Sequence, residues 1–513
     1  MKVRVDWRAS VALVGTVVKW LSVPMVFPLA LAVYYGRGLG IFVASMVLTF
    51  AIGWLLERAD TDPDIGTREG FLMVALTWLA VSVVGALPYL VEGHGIPFVL
   101  PAAAPGSTLA NPVNALFETM SGFTTTGATV MGDLSFDTHS RALMMWRQET
   151  QWLGGMGIVV LAIAILPKLS VGGAQLMDAE APGPGIEKLT PRIAETARAL
   201  WGLYIGLTAL EILLLYGAHL AGYADGMTPY NAVAHGFTTM PTGGFSPEAR
   251  SIEAFSALAQ WIIVPFMVAA GANFALFWHL WNRDFQTVRE DAELKAYVGA
   301  IAVLSAIVAG VLYTSPDLAV YGAIEPAVRH AAFQVTSIVT TTGYASLDFN
   351  AWGQAGKFVL LFAMFIGGSA GSTGGSIKVV RWLVILKSLR RELFTTVHPD
   401  AVKPVRLAGR VVDERALRGI YVFTLLYLVL FALGTLVVTL VGVPDQSLTA
   451  FEATSAVAST IGNVGPGFGI VGPMNNYLPF PDPVKLLMVF FMWVGRLEIL
   501  PVLVLLTPTY WQD

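Results

Sequence analysis

The 513-residue chain contains no cysteine. That absence excludes disulfides, thiolate metal sites and a cysteine nucleophile. Charge is the second scarcity. Asp, Glu, Lys and Arg make up 13% of the residues, against about 25% in ordinary soluble domains. The deficit runs along most of the chain, 55% of which is hydrophobic, and the mean hydropathy is +0.66. This is the composition of a polytopic membrane protein. A net charge of −4 leaves no basic footprint for nucleic acid. No metal-ligand spacing and no nucleophile–base pairing stands out, so an intramembrane enzyme lacks a catalytic set.

Long apolar runs are what the sequence has in plenty. Crossing the hydrocarbon core takes about 20 mostly apolar residues. Such runs lie at about 11–34, 38–56, 70–91, 140–167, 196–220, 255–282, 293–314, 353–389, 416–442 and 483–507. The first is too long for a signal-peptide core and lacks a small-residue cleavage site, so it reads as a retained span. Ten spans place both termini on one side. Lys and Arg concentrate in alternate connections: Arg58 and Arg68; Lys168, Lys188, Arg192 and Arg198; Arg283, Arg289 and Lys295; and a dense run from Lys387 to Arg418. With Lys2, Arg4 and Arg8 they mark the cytoplasmic side, in an inner (plasma) membrane.

Four pieces between spans are too short to cross, at about 111–127, 228–243, 324–343 and 448–465. Each begins at a turn or polar start ("NPVN", "TPYN", "IEPAV", "DQSLT"), continues as a short helix, and ends in a glycine-containing polar string: "TTTGAT", "PTGGFS", "TTTGYA", "GNVGPG". Taking Gly127, Gly243, Gly343 and Gly465 as the key glycines gives spacings of 116, 100 and 122 residues. A fourfold internal repeat of span, short helix, string and span follows. The expected fold is therefore all-α: two extra N-terminal helices (1–69), then repeats over 70–195, 196–292, 293–411 and 412–513.

Irregular backbone survives at membrane depth only where protein buries it or water reaches it. A half-helix followed by an extended strand suits a re-entrant loop lining a pore, where carbonyls replace an ion's water shell. Glycine permits backbone angles closed to other residues, threonine adds a neutral oxygen, and the negative end of each short helix favours a cation. One Thr/Gly string alone reads more simply as a helix-packing surface. Four of them, each after a short helix, outweigh that reading. The expected ion-binding residues are Thr125, Thr126 and Gly127; Thr242 and Gly243; Thr341, Thr342 and Gly343; and Asn463, Val464 and Gly465.

The run 353–389 is too long for one span: 37 residues would make a helix of about 55 Å. It is interrupted by "GGSAGSTGGS", that is Gly367, Gly368, Ser369, Ala370, Gly371, Ser372, Thr373, Gly374, Gly375 and Ser376. At membrane depth this segment must face water or protein, and its plainest reading is a passive hinge between half-helices. The phosphate-binding pattern G-x-x-x-x-G-K-[ST] is absent from it.

These strings resemble the Trk/Ktr/HKT superfamily of potassium transporters, most closely its TrkH-type membrane subunits, over nearly the whole chain. "SGFTTTGAT" (121–129), "GGFS" (243–246), "TTTGY" (340–344) and "NVGPGFG" (463–469) look like the family's four filter loops. "RQETQWLGGMGIVVLAIAILP" (147–167), "MDAEAPGP" (177–184) and "PRIAETAR" (191–198) match further signatures. "GGSAGSTGGSIKVVR" (367–381) and "GRLEILPVLVLLTPTYW" (495–511) are the most specific.

The resemblance implies four M1–pore-helix–M2 repeats around a pseudo-fourfold pore. It also implies potassium as the ion, since glycine at every key position goes with potassium in this family. Gly465 fits the family's N-x-G-P-G pattern, with Gly462 as the other candidate. The second loop departs most, because Pro241 and Thr242 precede Gly243. The resemblance makes 367–376 an intramembrane gate and Arg496 an electrostatic barrier or loop partner, unless Arg496 forms a structural ion pair with Glu498 or another carboxylate. It further implies a homodimer, and a TrkA-type cytosolic ring of nucleotide-binding subunits that carries the nucleotide. No covalent or catalytic cofactor is expected on this chain, and K+ is its cargo.

Other charges have plainer readings. Glu118 and Glu452 read as starting equivalent short helices, where the helix dipole stabilises carboxylates. His235, Arg329 and His330 read as packing or hydrogen-bonding groups. Lys378 and Arg381 face the cavity or the cytoplasm. The basic stretch 387–418 suits anionic lipid headgroups or a regulator. The rival to a gated channel is a Na+- or H+-coupled symporter, in which broken helices from inverted repeats meet at mid-membrane. Here the four repeats share one orientation, which favours a pore.

Overall fold

The computed structural model describes residues 5–60, 66–157, 193–407, 409–444 and 446–512. The "MDAEAPGP" motif, the start of "PRIAETAR" and the later part of the 140–167 span lie outside them. Two helices, α1 (Trp7–Trp20) and α2 (Val26–Tyr35), precede α3 (Leu39–Glu57). Residues 21–25 break the first expected span into those two helices. α1 and α3 cross closely at Gly15 and Gly53: a Cβ on Gly53 would lie 2.2 Å from the Lys19 amide nitrogen. Small residues that let backbones touch are the usual means of packing membrane helices.

The same element order then recurs four times. The first unit comprises α4 (Thr67–Gly85) and α5 (Leu87–His94), the short α6 (Pro112–Phe123), and α7 (Arg141–Gly155). The second has α8 (Ile193–Leu220), the short α9 (Pro229–Thr239), α10 (Ala257–Ala270) and α11 (Phe274–Trp281); α12 (Phe285–Glu290) follows as a connection. The third has α13 (Ala292–Thr314), the short α14 (Ile324–Val339), α15 (Gln354–Ala363) and α16 (Val379–Val397). A two-stranded hairpin, Arg406–Leu407 with Arg410–Val411, leads to the fourth. That unit has α17 (Glu414–Val441), the short α18 (Ala450–Ile461), α19 (Asp482–Arg496) and α20 (Leu500–Leu505), and the chain closes with α21 (Pro508–Trp511).

The starts of the short helices follow from local chemistry. Asn111 accepts from the Val113 amide ahead of Pro112, and Thr228 accepts from Asn231 ahead of Pro229. A side-chain cap followed by proline at the first helical position is a strong start signal. Thr449 and Glu452 form a reciprocal capping box on α18. The short helices are buried inside the bundle, whereas α3, α8, α13 and α17 leave most of their described residues at least partly exposed. Apolar surface of that extent belongs against lipid. Among the described residues, five helices can by length and composition cross a membrane, or six if α10 and α11, bent by 98° at their junction, count as one.

Candidate functional site

Each short helix ends in the same way. Thr126, Gly243, Thr342 and Val464 donate their backbone N–H to the carbonyls of Ser121, Thr238, Ser337 and Ser459, at 2.8–2.9 Å. One residue earlier, Thr125, Thr242, Thr341 and Asn463 donate to Gly122, Thr239, Ile338 and Thr460. These four also have positive φ, between 52° and 60°. This is a Schellman-type ending with threonine or asparagine where glycine is usual. A left-handed threonine is uncommon, and the recurrence of this conformation at three threonines and one asparagine defines the register of the loops.

Two residues after each left-handed residue comes a glycine with positive φ: Gly127 (82°), Gly244 (76°), Gly343 (80°) and Gly465 (105°). These glycines also mark where the loops touch. A Cβ on Gly127 would stand 2.2 Å from Gly243 O, one on Gly244 1.9 Å from Thr342 O, one on Gly343 2.1 Å from Val464 O, and one on Gly465 2.7 Å from Thr126 O. Each glycine therefore abuts the carbonyl that precedes the corresponding glycine of the next loop, and the fourth returns to the first. The cycle closes around one axis, beneath an open vestibule that all four glycines line.

This register corrects one expectation, the key glycine of the second loop. In the second loop the glycine of the ring is Gly244. Gly243 occupies the level of Thr126, Thr342 and Val464, because Pro241 takes the place of Thr124 and Thr340. In the fourth loop Gly462 takes that same place, with φ −83°, so the ring glycine there is Gly465.

The 367–376 segment lies under three of the helix ends. The Gly375 amide donates to Thr341 Oγ1 at 2.7 Å, and the Thr373 hydroxyl donates to Met240 O at 3.0 Å and Ala270 O at 3.1 Å. Cβ atoms on Gly374 and Gly375 would stand 3.0 Å from Thr340 O and 2.5 Å from Gly462 O. The neck of the segment is closed by Gly367 N to Ile377 O and Val379 N to Gly368 O. Ser376 donates to Met364 O, Ser372 to Ser369 O, and Ser369 N to Gly271 O at the α10–α11 bend. Gly371 O accepts from the Phe274 amide beyond that bend. Glu293, at the start of α13, accepts from the Ala370 amide at 2.7 Å and the Val380 amide at 3.2 Å.

Arg496 ends α19 rather than sitting mid-span. Its guanidinium donates to Thr373 O at 2.7 Å and to Gly154 O at 3.1 Å, joining the segment to the end of α7. Glu498 instead receives Arg381, whose guanidinium also lies 3.8 Å from the Phe423 ring centre. Lys378 donates to Gly374 O. Both Lys378 and Arg381 are buried, so neither is a solvated cytoplasmic charge.

Glu118 and Glu452 are not equivalent. Glu452 stands in the first turn of α18 and also accepts from the Ile470 amide. Glu118 lies in the second half of α6, fully buried against Arg147. His235 bonds Asn231 O and Ser246, and His330 bonds Ser346. Arg329 bonds Glu325 and Gln260. Gln151 was not anticipated: its amide donates to Gly243 O at 2.7 Å and accepts from Phe245 N at 3.0 Å. Glu293 was missed as well. The polar string "RQETQ" (147–151) inside an apolar run was the available signal for Gln151, since polar groups at membrane depth are seldom idle.

A family model described as "Cation transport protein", TrkH, matches residues 40–512. The chain is 37% identical to the Trk system potassium uptake protein TrkH of Escherichia coli K12, over 99% of this chain and 100% of that protein. It is 32% identical to the Trk system potassium uptake protein TrkG of the same strain, over 96% of each. The crystal structure of the potassium transporter TrkH from Vibrio parahaemolyticus superposes with a TM-score of 0.82 at 33% identity, covering 99% of this chain and 100% of that one.

Proposed function

The chain belongs to the TrkH family of cation transport proteins, and from that membership we propose that it takes up potassium through a gated, channel-like pore. The observation that carries the reading is the closed cycle of Gly127, Gly244, Gly343 and Gly465. Backbone held in that form, four times around one axis, suits carbonyl coordination of a dehydrated cation. The short helices direct their negative ends toward the same place. Potassium is favoured by the relatives, which are named potassium uptake proteins.

In this reading ten spans cross the inner membrane with both termini cytoplasmic, and 367–376 obstructs the pore below the filter. Arg496 holds the segment closed, and a TrkA-type nucleotide-binding ring releases it. The protein works as a homodimer, carries no cofactor of its own and catalyses no reaction. The experiment is flux into liposomes with potassium as the sole permeant cation. A channel takes up potassium down its own gradient; uptake that requires a Na+ or H+ gradient overturns the channel reading. One observation favours the H+-coupled alternative. Glu211 is fully buried in α8 beside Thr239, with no cation paired to it among the described residues. An intramembrane carboxyl so placed is a candidate proton carrier. Under that alternative Glu211→Gln abolishes the dependence of uptake on a proton gradient.

A further inference from the structure

Above the glycine ring, one guanidinium joins the outward limbs of two loops. Arg147 comes from the second turn of α7 and is 2% exposed, and its partner Glu118 is wholly buried. Arg147 Nε donates to Glu118 Oε1 at 2.6 Å. Glu118 in turn holds the limb of the first loop: the Thr129 hydroxyl donates to Oε1 at 2.9 Å and to Oε2 at 3.0 Å, and the Val130 amide donates to Oε2 at 2.9 Å. On its other side Arg147 Nη1 donates to Ser246 O, in the limb of the second loop, at 3.1 Å. The guanidinium also lies 3.5 Å from the ring centre of Phe245. One helical turn further along α7, Gln151 grips Gly243 O and Phe245 N.

The other junctions between neighbouring limbs are made differently among the described residues. Ser251 Oγ accepts from Ala345 N between the second and third limbs. Asn350 exchanges hydrogen bonds with Gly469 between the third and fourth. Tyr477 N donates to Thr129 O between the fourth and first. These contacts are made by neutral side chains or by backbone alone. The first junction uses a charge pair, and the cation lines the vestibule through which ions would arrive.

A bare positive charge at the mouth of a cation pore is repulsive, so this arginine works against conduction unless it positions something and is neutralised. Glu118 supplies the neutralisation, and the rigid fork of arginine supplies two directed donors. We propose that Arg147 is a positioning residue for ion selectivity, which, with Glu118, fixes the spacing between the first and second filter loops at their outer end. Loosening this junction lets Gly127 move relative to Gly243 O and admits smaller, differently hydrated cations. The proposal rests on the reading of the glycine ring as the filter.

The test is the K+/Na+ permeability ratio of purified protein in liposomes, read from bi-ionic reversal potentials. The variants are Arg147→Gln, Arg147→Lys and Glu118→Gln. Lys19→Met, which breaks a partly buried pair with Glu57 far from the ring, is the control. The expected result is a several-fold fall in the ratio for Arg147→Gln, a smaller fall for Arg147→Lys, and no change for Lys19→Met. A folded, monodisperse Arg147 variant with the wild-type ratio overturns the proposal. Failure of all three variants to fold overturns it equally, since the pair would then be a requirement of folding. A wild-type protein that does not discriminate K+ from Na+ overturns the filter reading and this proposal together. Discrimination retained in wild type and in Arg147→Gln overturns this proposal alone.

Discussion

Alanine at 244 and alanine at 243 collide with different things. At 244 the methyl group meets the backbone of the neighbouring loop, 1.9 Å from Thr342 O, and the residue must hold a φ of 76°. A residue with a Cβ pays about 1–2 kcal/mol for that left-handed conformation before any contact is counted. At 243 the methyl group meets the Gln151 side-chain amide at 2.4 Å, which can rotate away at the loss of two hydrogen bonds, each worth about 1 kcal/mol. Gly244→Ala should therefore reduce the K+/Na+ permeability ratio more than Gly243→Ala, by roughly tenfold if about 1.4 kcal/mol separates them. Equal ratios in the two variants would return the second loop to the register expected from sequence. Gly127→Ser, at φ 82° and 2.2 Å from Gly243 O, should weaken selectivity in the same way, and an unchanged ratio counts against the filter assignment.

At this scale the sequence was legible to within one residue. Set end to end, TTTG, PTGG, TTTG and GNVG already align Gly244 with the other three. Choosing the first glycine after Thr242 followed composition, whereas backbone angle decides the matter and no single letter states it. Glu118 and Glu452 illustrate the same limit. Glu118 stands nine residues before Gly127 and Glu452 thirteen before Gly465, so the two carboxylates lie on different turns and serve different partners.

Among the elements, the 367–376 segment carries the sharpest expectation. It is secured by groups from all four repeats: Thr341 of the third, Met240 and Ala270 of the second, and Arg496 of the fourth, which also reaches Gly154 of the first. A passive hinge has no need of so many ties. Thr373→Val removes two side-chain hydrogen bonds, and Arg496→Gln loosens the link to α7. If the segment is a gate, each should raise basal potassium flux in liposomes without a regulator, and a deletion within 367–376 should raise it further. Lower or unchanged flux in all three would make the segment a hinge. Its existence was legible, because a helix-length run with a Gly/Ser centre cannot be one straight span. The starts of three short helices were legible from "NP", "TP" and the T-x-x-E capping box. The clasp by Glu293 was not. That carboxylate lies 77 residues from Ala370, and no local pattern announces a contact that depends on how distant parts of one repeat pack.

Ten apolar runs lie along the sequence, whereas among the described residues five helices, or six with the bent pair, are long and apolar enough by themselves. The difference lies mainly in helices that break at depth. The first run breaks at residues 21–25, α10 and α11 bend by 98°, α15 and α16 are parted by the Gly/Ser segment, and α19 and α20 are parted at Glu498 and Ile499, both with positive φ. A hydropathy pattern records apolar residues and passes over such breaks. Three of them sit where the second long helix of a repeat passes beneath the ring. Glycines bring those helices against the short ones: a Cβ on Gly154 would stand 1.9 Å from Phe123 O, and one on Gly495 2.0 Å from Ile461 O.

Orientation follows from the same architecture and can be measured cleanly because the chain has no cysteine to remove. Phe98 is exposed in the connection leading to the start of α6, on the vestibule side of the ring. Val402 is exposed in the basic connection after α16, on the side of the 367–376 segment. A membrane-impermeant thiol reagent on intact cells should label Phe98→Cys and spare Val402→Cys, and permeabilisation should expose the second. Neither substitution touches the ring, so potassium uptake should persist in both variants and report that the labelled protein is folded. The opposite labelling pattern would turn the vestibule toward the cytoplasm. Ions entering from outside would then meet the 367–376 segment before the ring, and the basic connections would lie on the side where the positive-inside rule does not put them.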